Sequence, residues 1–259
     1  MFWQPIDRFA SKIFGPVPLR TVLVVPFVIQ IVGVVMLVGW LSWRHSHQAV
    51  TDLAQQLQTE TTQRIHDYLH THLAKPHLLN QVNINALQLG LVELTQKQRL
   101  INHFWHQISH FKLTHYMGIA TAKTYIGVRR LKEQLIIVEY LDEQGQLNIW
   151  ETDQQAQLKQ LRSQIAHFNP QIQPWYQAAL NNQHWTGVYA QGQHLSLYAS
   201  RPLYHQSDTQ VQAVLSVNIE LLELSQFLAQ LSPGHSFIMD DKGLLIASSQ
   251  PEVLFDSLA

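Results

Sequence analysis

The stretch from Thr21 to Trp43 contains no charged residue and is dominated by Val, Ile, Leu, Phe and Met. Wound as a helix at ~1.5 Å per residue it would be about 34 Å long, enough to cross a hydrocarbon core of roughly 30 Å. A cleaved leader is disfavoured, because its apolar core is shorter and a small-residue cleavage site follows it, whereas Trp-Leu-Ser-Trp-Arg follows here. Pro26 sits in the first turns, Gln30 is a single neutral amide, and Trp40 and Trp43 suit a headgroup layer. Arg8, Lys12 and Arg20 precede the span and only Arg44 follows closely. The positive-inside bias therefore puts residues 1–20 in the cytoplasm and everything after the span outside, in a single-pass inner-membrane topology.

The 259 residues carry a formal net charge of −1 and are 46% hydrophobic, which leaves about 200 residues of ordinary globular composition beyond the anchor. Near-neutrality gives no basic face for nucleic acid. Cysteine is absent, so the fold has no disulfide framework, thiolate metal site or cysteine nucleophile.

After Arg44 the apolar residues Val50, Leu53, Ala54, Leu57, Ile65, Leu69 and Leu73 recur mostly at three- and four-residue intervals, so a long helix over 44–75 is expected, ended or kinked by Pro76. A second amphipathic stretch covers 82–94. The segment 95–111 is again helical, with Leu100, Ile101, Phe104, Ile108 and Phe111 on one arc. Short β-branched or aromatic segments then follow at 116–120, 125–130, 135–141 and 147–152. Next come a charged helix over 155–168, a corner framed by Pro170 and Pro174, and a short helix over 175–180. Strands are expected at 185–189, 194–202 and 211–219, a helix at 221–231, and a terminal hairpin with arms at 235–239 and 244–248. The fold class is α+β: a transmembrane helix continuing into a long helix, then an antiparallel-sheet domain with flanking helices over 76–232 and the start of a second sheet domain over 233–259. Such a lone hairpin is marginal by itself, so the chain is expected to stop inside that second domain, as a fragment or a truncated gene.

Residues 168–179, Phe-Asn-Pro-Gln-Ile-Gln-Pro-Trp-Tyr-Gln-Ala-Ala, resemble the Tyr-Asp-Pro-Arg-x-Arg-Pro-Trp-Tyr signature of the double Cache family of PAS-like extracytoplasmic sensor domains. Residues 185–189, 199–204 and 214–219 resemble the family's flanking strands in the same order. The anchor, with Pro18-Leu19-Arg20-Thr21, and the helix after it resemble those of bacterial, particularly cyanobacterial, sensor kinases and cyclases. The resemblance implies a ligand site made of Phe168, Gln171, Gln173, Trp175, Tyr176, Tyr198 and Asn218. In amino-acid-binding members, the positions of Gln173 and Asn218 hold an arginine and an aspartate that grip the ligand's carboxylate and ammonium. An amide cannot supply charge-assisted bidentate pairing, so the expected ligand is a small polar molecule other than an ordinary amino acid.

Other constellations point to less. His103, His106 and His110 share a stripe read as a solvated face, and His66, His70 and His72 lie on the long helix; no metal site is expected, although histidine titration makes pH sensing a minor reading. Arg129 and Arg130 read as surface charges at a strand end. No phosphate loop, nucleophile elbow or zinc-protease motif occurs, so neither a catalytic residue nor a cofactor is assigned. The expected function is the input region of a membrane-anchored signalling receptor, homodimeric through its long helix. The alternative is a structural or oligomerising periplasmic module without ligand.

Overall fold

The computed structural model describes residues 19–112, 114–131, 135–183, 185–186, 188–191, 194–205, 210–231, 234–240 and 243–250. Residues 1–18 of the expected cytoplasmic lead therefore lie outside the described residues, while Leu19 and Arg20 begin a helix; two residues of the terminal hairpin's turn and the last nine of the chain also lie outside them. The chain divides into two compact units, Met1–Thr62 and Gln63–Ala259.

Within the first unit the described residues belong to helix α1, Leu19–Gln88, which continues into the second. Its apolar side chains from Leu23 to Trp43 are exposed, and its most apolar window has a mean hydropathy of 2.4, so the helix is long and apolar enough to cross a membrane. Arg44 lies 5.6 Å from the Trp40 ring, a cation over an aromatic face.

In the second unit α1 runs on through Pro76, so of the end or kink expected there the end does not occur. The buried Pro76 lies where α1 begins to sink Leu79, Asn80, Asn83 and Ile84 into the fold, and tertiary packing outweighs the roughly 3 kcal/mol that an interior proline costs. The helix ends where Gly90 takes φ +70, with Gly90 N–H donating to Leu87 O (3.1 Å) and Leu91 N–H to Ala86 O (3.0 Å). That pair of bonds satisfies terminal carbonyls in the manner of a Schellman cap, and glycine enters the left-handed region without steric cost.

Helix α2, Lys97–His110, follows, burying Leu100, Ile101, Phe104, Trp105 and Ile108. Phe111, expected on that arc, is 41% exposed because the helix has already ended. Five strands come next: β1 (Thr114–Ala120), β2 (Tyr125–Arg130), β3 (Ile136–Leu141), β4 (Leu147–Thr152) and β5 (Leu158–Ile165). A 3-10 turn, Pro170–Ile172, leads into helix α3, Pro174–Leu180; β6 (Tyr189–Gln191), β7 (His194–Tyr204), β8 (Val211–Glu220) and helix α4 (Leu221–Leu231) complete the main body. The eight strands form one antiparallel sheet in the order β5-β4-β3-β2-β1-β8-β7-β6, and β9 (Phe237–Met239) pairs with β10 (Leu245–Ser248) in a separate two-stranded sheet. This is the α+β arrangement expected from the sequence.

Two expectations fail locally. Residues 155–168 hold β5, not a helix. Asp153 Oδ1 accepts from the Gln155 and Gln157 amides at 2.8 and 2.9 Å, which reverses the chain into a hairpin. Leu158, Leu161 and Ile165 have helix-like spacing, but β5 is an edge strand with one mostly exposed row, and register shifts beside Trp150 blur its alternation. At 185–189, Trp185 makes only an isolated bridge to Ala199, and regular pairing begins at Tyr189.

The sheet has two apolar faces. One carries Met117, Ile119, Ile126, Val128, Val138, Leu215 and Val217 against Leu79 and Ile84 of α1 and the buried side of α2. The other carries Tyr116, Tyr125, Leu147, Tyr198 and Val214 against Trp175, Tyr176 and Ala179 of α3. Side chains alternate faces along each strand, so every second residue of β1, β2, β7 and β8 belongs to the α3 side.

Candidate functional site

The corner before α3 is built by local chemistry. Asn169 Oδ1 accepts from Gln171 N–H at 2.9 Å, capping the 3-10 turn, and Pro174 occupies the first turn of α3, where its missing N–H costs nothing. Trp175 and Tyr176 follow at 5% and 4% exposure and point into the sheet face formed by β1, β2, β7 and β8. Phe168 closes one side, its ring 5.0 Å from that of Tyr125, which lies 6.2 Å from Trp175. On the other side Tyr198 meets Tyr116 and Tyr189 edge-on, each at 5.6 Å.

Room for these rings comes from two glycines. Gly118 and Gly127 are directly opposed on β1 and β2. A Cβ at Gly127 would lie 2.8 Å from both Tyr116 Cε2 and Tyr125 Oη, and one at Gly118 would lie 2.7 Å from Tyr116 Cζ. The paired glycines lower the sheet surface so that the tyrosines can lie over it.

The hydroxyls of those tyrosines feed a buried ion pair. Tyr116 Oη donates to Tyr125 Oη (3.1 Å), Tyr125 Oη donates to Glu139 Oε2 (2.8 Å), and Arg129 Nε donates to Glu139 Oε1 (2.7 Å). The Arg129 guanidinium lies 4.8 Å from the centre of the Tyr116 ring and also bonds Tyr198. Burial alone would lower the Arg129 pKa, but the charge and hydrogen bond of Glu139 carry it well above the ordinary value. Burial first, then the Glu139 charge, raises the Tyr116 and Tyr125 hydroxyls, so both stay neutral donors. Burial likewise raises Tyr198, against the opposing pull of Arg129. Arg129 is thus no surface charge: β2 places its even-spaced partners Tyr125 and Gly127 on the α3 side, and Arg129 follows them there. Glu139, at 5% exposure on β3, is the acid that the sequence reading missed. The signal available was a charged residue inside the apolar run Ile-Ile-Val-Glu-Tyr.

The seven residues expected at the site divide into groups. Phe168, Trp175, Tyr176 and Tyr198 lie in or against one buried aromatic cluster. Asn218 stands directly across from Tyr198 in the β7–β8 ladder, is 1% exposed, and donates from Nδ2 to Ser196 Oγ at 3.1 Å. Its Oδ1 is buried without a hydrogen-bond partner. Gln173 is half-buried and accepts from Tyr189 Oη at 3.3 Å. Gln171 is held through its backbone, its carbonyl accepting from Gln177 Nε2 at 2.7 Å. A cavity of about 400 Å³ opens beyond the end of α3, lined by Gln81, Ala179, Asn182, Ser200 and Arg201 among others.

The histidine stripe of α2 is not a uniformly solvated face. His103 is half-buried and bonds Asn83 Oδ1 of α1 at 2.8 Å, and burial lowers its pKa, while His106 and His110 are exposed. Among the described residues, no group of three or more His, Asp or Glu is placed to hold a metal ion.

No protein-family model and no curated protein sequence matches the chain. Solved structures similar to it include the sensory domain of the Campylobacter jejuni chemoreceptor Tlp3, at 17% identity, covering 77% of this chain and 71% of that one with a TM-score of 0.48. The ligand-binding domain of the same receptor in complex with L-valine is similar at 18% identity, with coverages of 77% and 71% and a TM-score of 0.45. The sensory domain with isoleucine bound is similar at 16% identity, with coverages of 77% and 70% and a TM-score of 0.45. These bound amino acids overturn the expectation that an ordinary amino acid is a poor ligand for such a domain. That expectation weighed ionic pairing at two positions alone, whereas amide N–H and C=O groups also hydrogen-bond carboxylate and ammonium groups. Each of these three solved structures is a sensory or ligand-binding domain of a chemoreceptor.

Proposed function

We propose that this chain is the membrane-anchored input region of a signalling receptor, with a sensor domain that binds a small polar molecule between the Trp175–Tyr176 corner and the β7–β8 strands. The observation that carries the reading is Asn218. An amide oxygen buried without a partner costs about 1–3 kcal/mol, and it lies across the ladder from a tyrosine in an aromatic cluster, where a ligand N–H or O–H would satisfy it. Phe168, Trp175, Tyr176 and Tyr198 supply flat walls, and Gln171 and Gln173 border the corner. Amino acids belong to the ligand class. The order of motifs from 168 to 219 supports the finer assignment to the double Cache type seen in bacterial sensor kinases and cyclases, with residues 76–232 as one sensor module and 233–259 as the start of another. Exposed apolar side chains on α1 support anchoring in the inner membrane, and the excess of Arg8, Lys12 and Arg20 over Arg44 supports placing the sheet domain outside.

The test is a thermal-shift screen of the full chain in detergent against amino acids, amines and small carboxylates, with hits followed by calorimetry. At least one compound is expected to raise Tm in the wild type and to lose at least tenfold in affinity with Trp175→Ala and with Asn218→Ala. A ligand whose affinity survives both substitutions overturns the site.

A further inference from the structure

A second group of titratable side chains lies outside the aromatic site. His115, near the start of β1, places Nε2 3.6 Å from Glu223 Oε1 and 3.9 Å from Glu220 Oε2. All three are sheltered, with side-chain exposures of 17%, 23% and 14% respectively, and Glu223 Oε2 is buried without a hydrogen-bond partner. The surrounding elements each contribute a group. From the end of β2, Arg130 acts on Glu223 electrostatically while its guanidinium donates to the carbonyls of Ile108, in the last turn of α2, and Lys112, just beyond it. From α1, Tyr68 senses the charge of Glu223, and its ring stacks on Phe227 of α4 at 3.4 Å on one side and on His72 at 3.7 Å on the other. Ile65 and Leu69 complete the apolar seat of α1 on Leu221, Leu224 and Leu228 of α4.

Two carboxylates around one imidazole form an arrangement whose charge depends on its proton count. In a sheltered place each added negative charge is costly, and here the cost falls on the elements that must stay packed around it. Burial first, and then the negative charge of Glu220, lift the Glu223 carboxyl to about 7 against the pull of Arg130. The group therefore changes charge in the physiological range.

We propose that His115, Glu220 and Glu223 form a proton-binding latch that fastens residues 65–72 of α1 to α4, an input separate from the aromatic site. A protonated Glu223 leaves the Glu220 carboxylate without a second negative charge beside it, and the Tyr68–Phe227 stack stays closed. Loss of that proton puts a second negative charge beside Glu220 and within electrostatic reach of Tyr68, and loosens the seat. Closure is therefore favoured at acid pH and weakened as pH rises through neutrality. This differs from a helix-histidine sensor, because the responding carboxylate is on α4.

The experiment is hydrogen–deuterium exchange of the full chain in detergent from pH 5.5 to 8.5, with rates corrected for intrinsic chemical exchange. Protection of residues 63–72 is expected to fall several-fold with a midpoint near 7 in the wild type, to stay high and flat in Glu223→Gln, and to shift its midpoint to lower pH in Glu220→Gln. The α2 segment 100–108 serves as the internal control and is expected to show no transition. A flat wild-type profile overturns the proposal. So does a midpoint that survives Glu223→Gln and Glu220→Gln unchanged but disappears in His72→Gln. Should Glu223→Gln fail to fold by circular dichroism, the Glu220→Gln shift decides alone, its absence overturning the latch.

Discussion

Arg129 and Glu139 are joined by a 2.7 Å bond between Nε and Oε1 inside the sheet, with side-chain exposures of 16% and 6%. Their neighbours across the face are tyrosine hydroxyls, so every oxygen of Glu139 is met by a donor. A buried pair of this kind is strongly sensitive to losing one member, because the survivor becomes an uncompensated buried charge.

Arg129→Met and Glu139→Gln are accordingly expected to destabilise the chain by about 3–5 kcal/mol each, whereas the double change costs much less than their sum. A double-mutant cycle from urea denaturation measures this. Strictly additive single effects would show that the pair is not a coupled unit.

Gly127→Ala introduces a methyl group 2.8 Å from both Tyr116 Cε2 and Tyr125 Oη. Overpacking of this sort costs about 1–3 kcal/mol, and the rings must shift to relieve it. The expected readout is a lowered Tm together with a changed near-ultraviolet tyrosine spectrum, while an unchanged Tm would mean that the rings yield freely.

Asn218→Ala removes a buried amide with one bond made and one acceptor unmet. The two effects oppose each other, so the change in unfolding free energy is expected to stay within about 1.5 kcal/mol. Ligand affinity falls by more than the stability does, the pattern of a residue kept for binding at the expense of the fold. Denaturation and calorimetry on the same variant give the comparison, and a large stability loss with intact affinity would reverse the assignment.

Glu223 gives stability a pH dependence of known sign. Its folded pKa, about 7, is above the unfolded value of 4.5, so the contribution is fully present below 4.5 and is lost as pH rises through 7. Urea midpoints measured at pH 5 and pH 8 are expected to fall less on going to pH 8 in Glu223→Gln than in the wild type. An identical fall in both would place the titration elsewhere.

Most elements were legible in the sequence because local periodicity wrote them. The charge-free run 21–43, the arc of Leu100, Ile101, Phe104 and Ile108, the strands at 125–130 and 147–152 and the helix 221–231 each follow from spacing alone. Pro-Trp-Tyr at 174–176 likewise marked a corner whose geometry comes from two prolines and an Asn cap. Edge strand β5 was misread because only Leu158 and Leu161 are half-buried and the rest of the strand is solvated, which leaves no alternation to detect. The passage of α1 through Pro76 was misread because propensity is outweighed by burial of the turns that follow.

By itself the sequence determined most of the helices and strands, though not edge strand β5, and that one helix is apolar enough for lipid, since these depend on residues close together in the chain. Only the tertiary structure decided which polar groups meet. Arg129 with Glu139, Tyr198 with Asn218, and His115 with Glu220 and Glu223 are joined by strand order and register, and no local pattern records that β1 lies beside β8. Burial then turned those encounters into coupled charges, because a carboxylate or guanidinium withdrawn from water is stable only beside a partner.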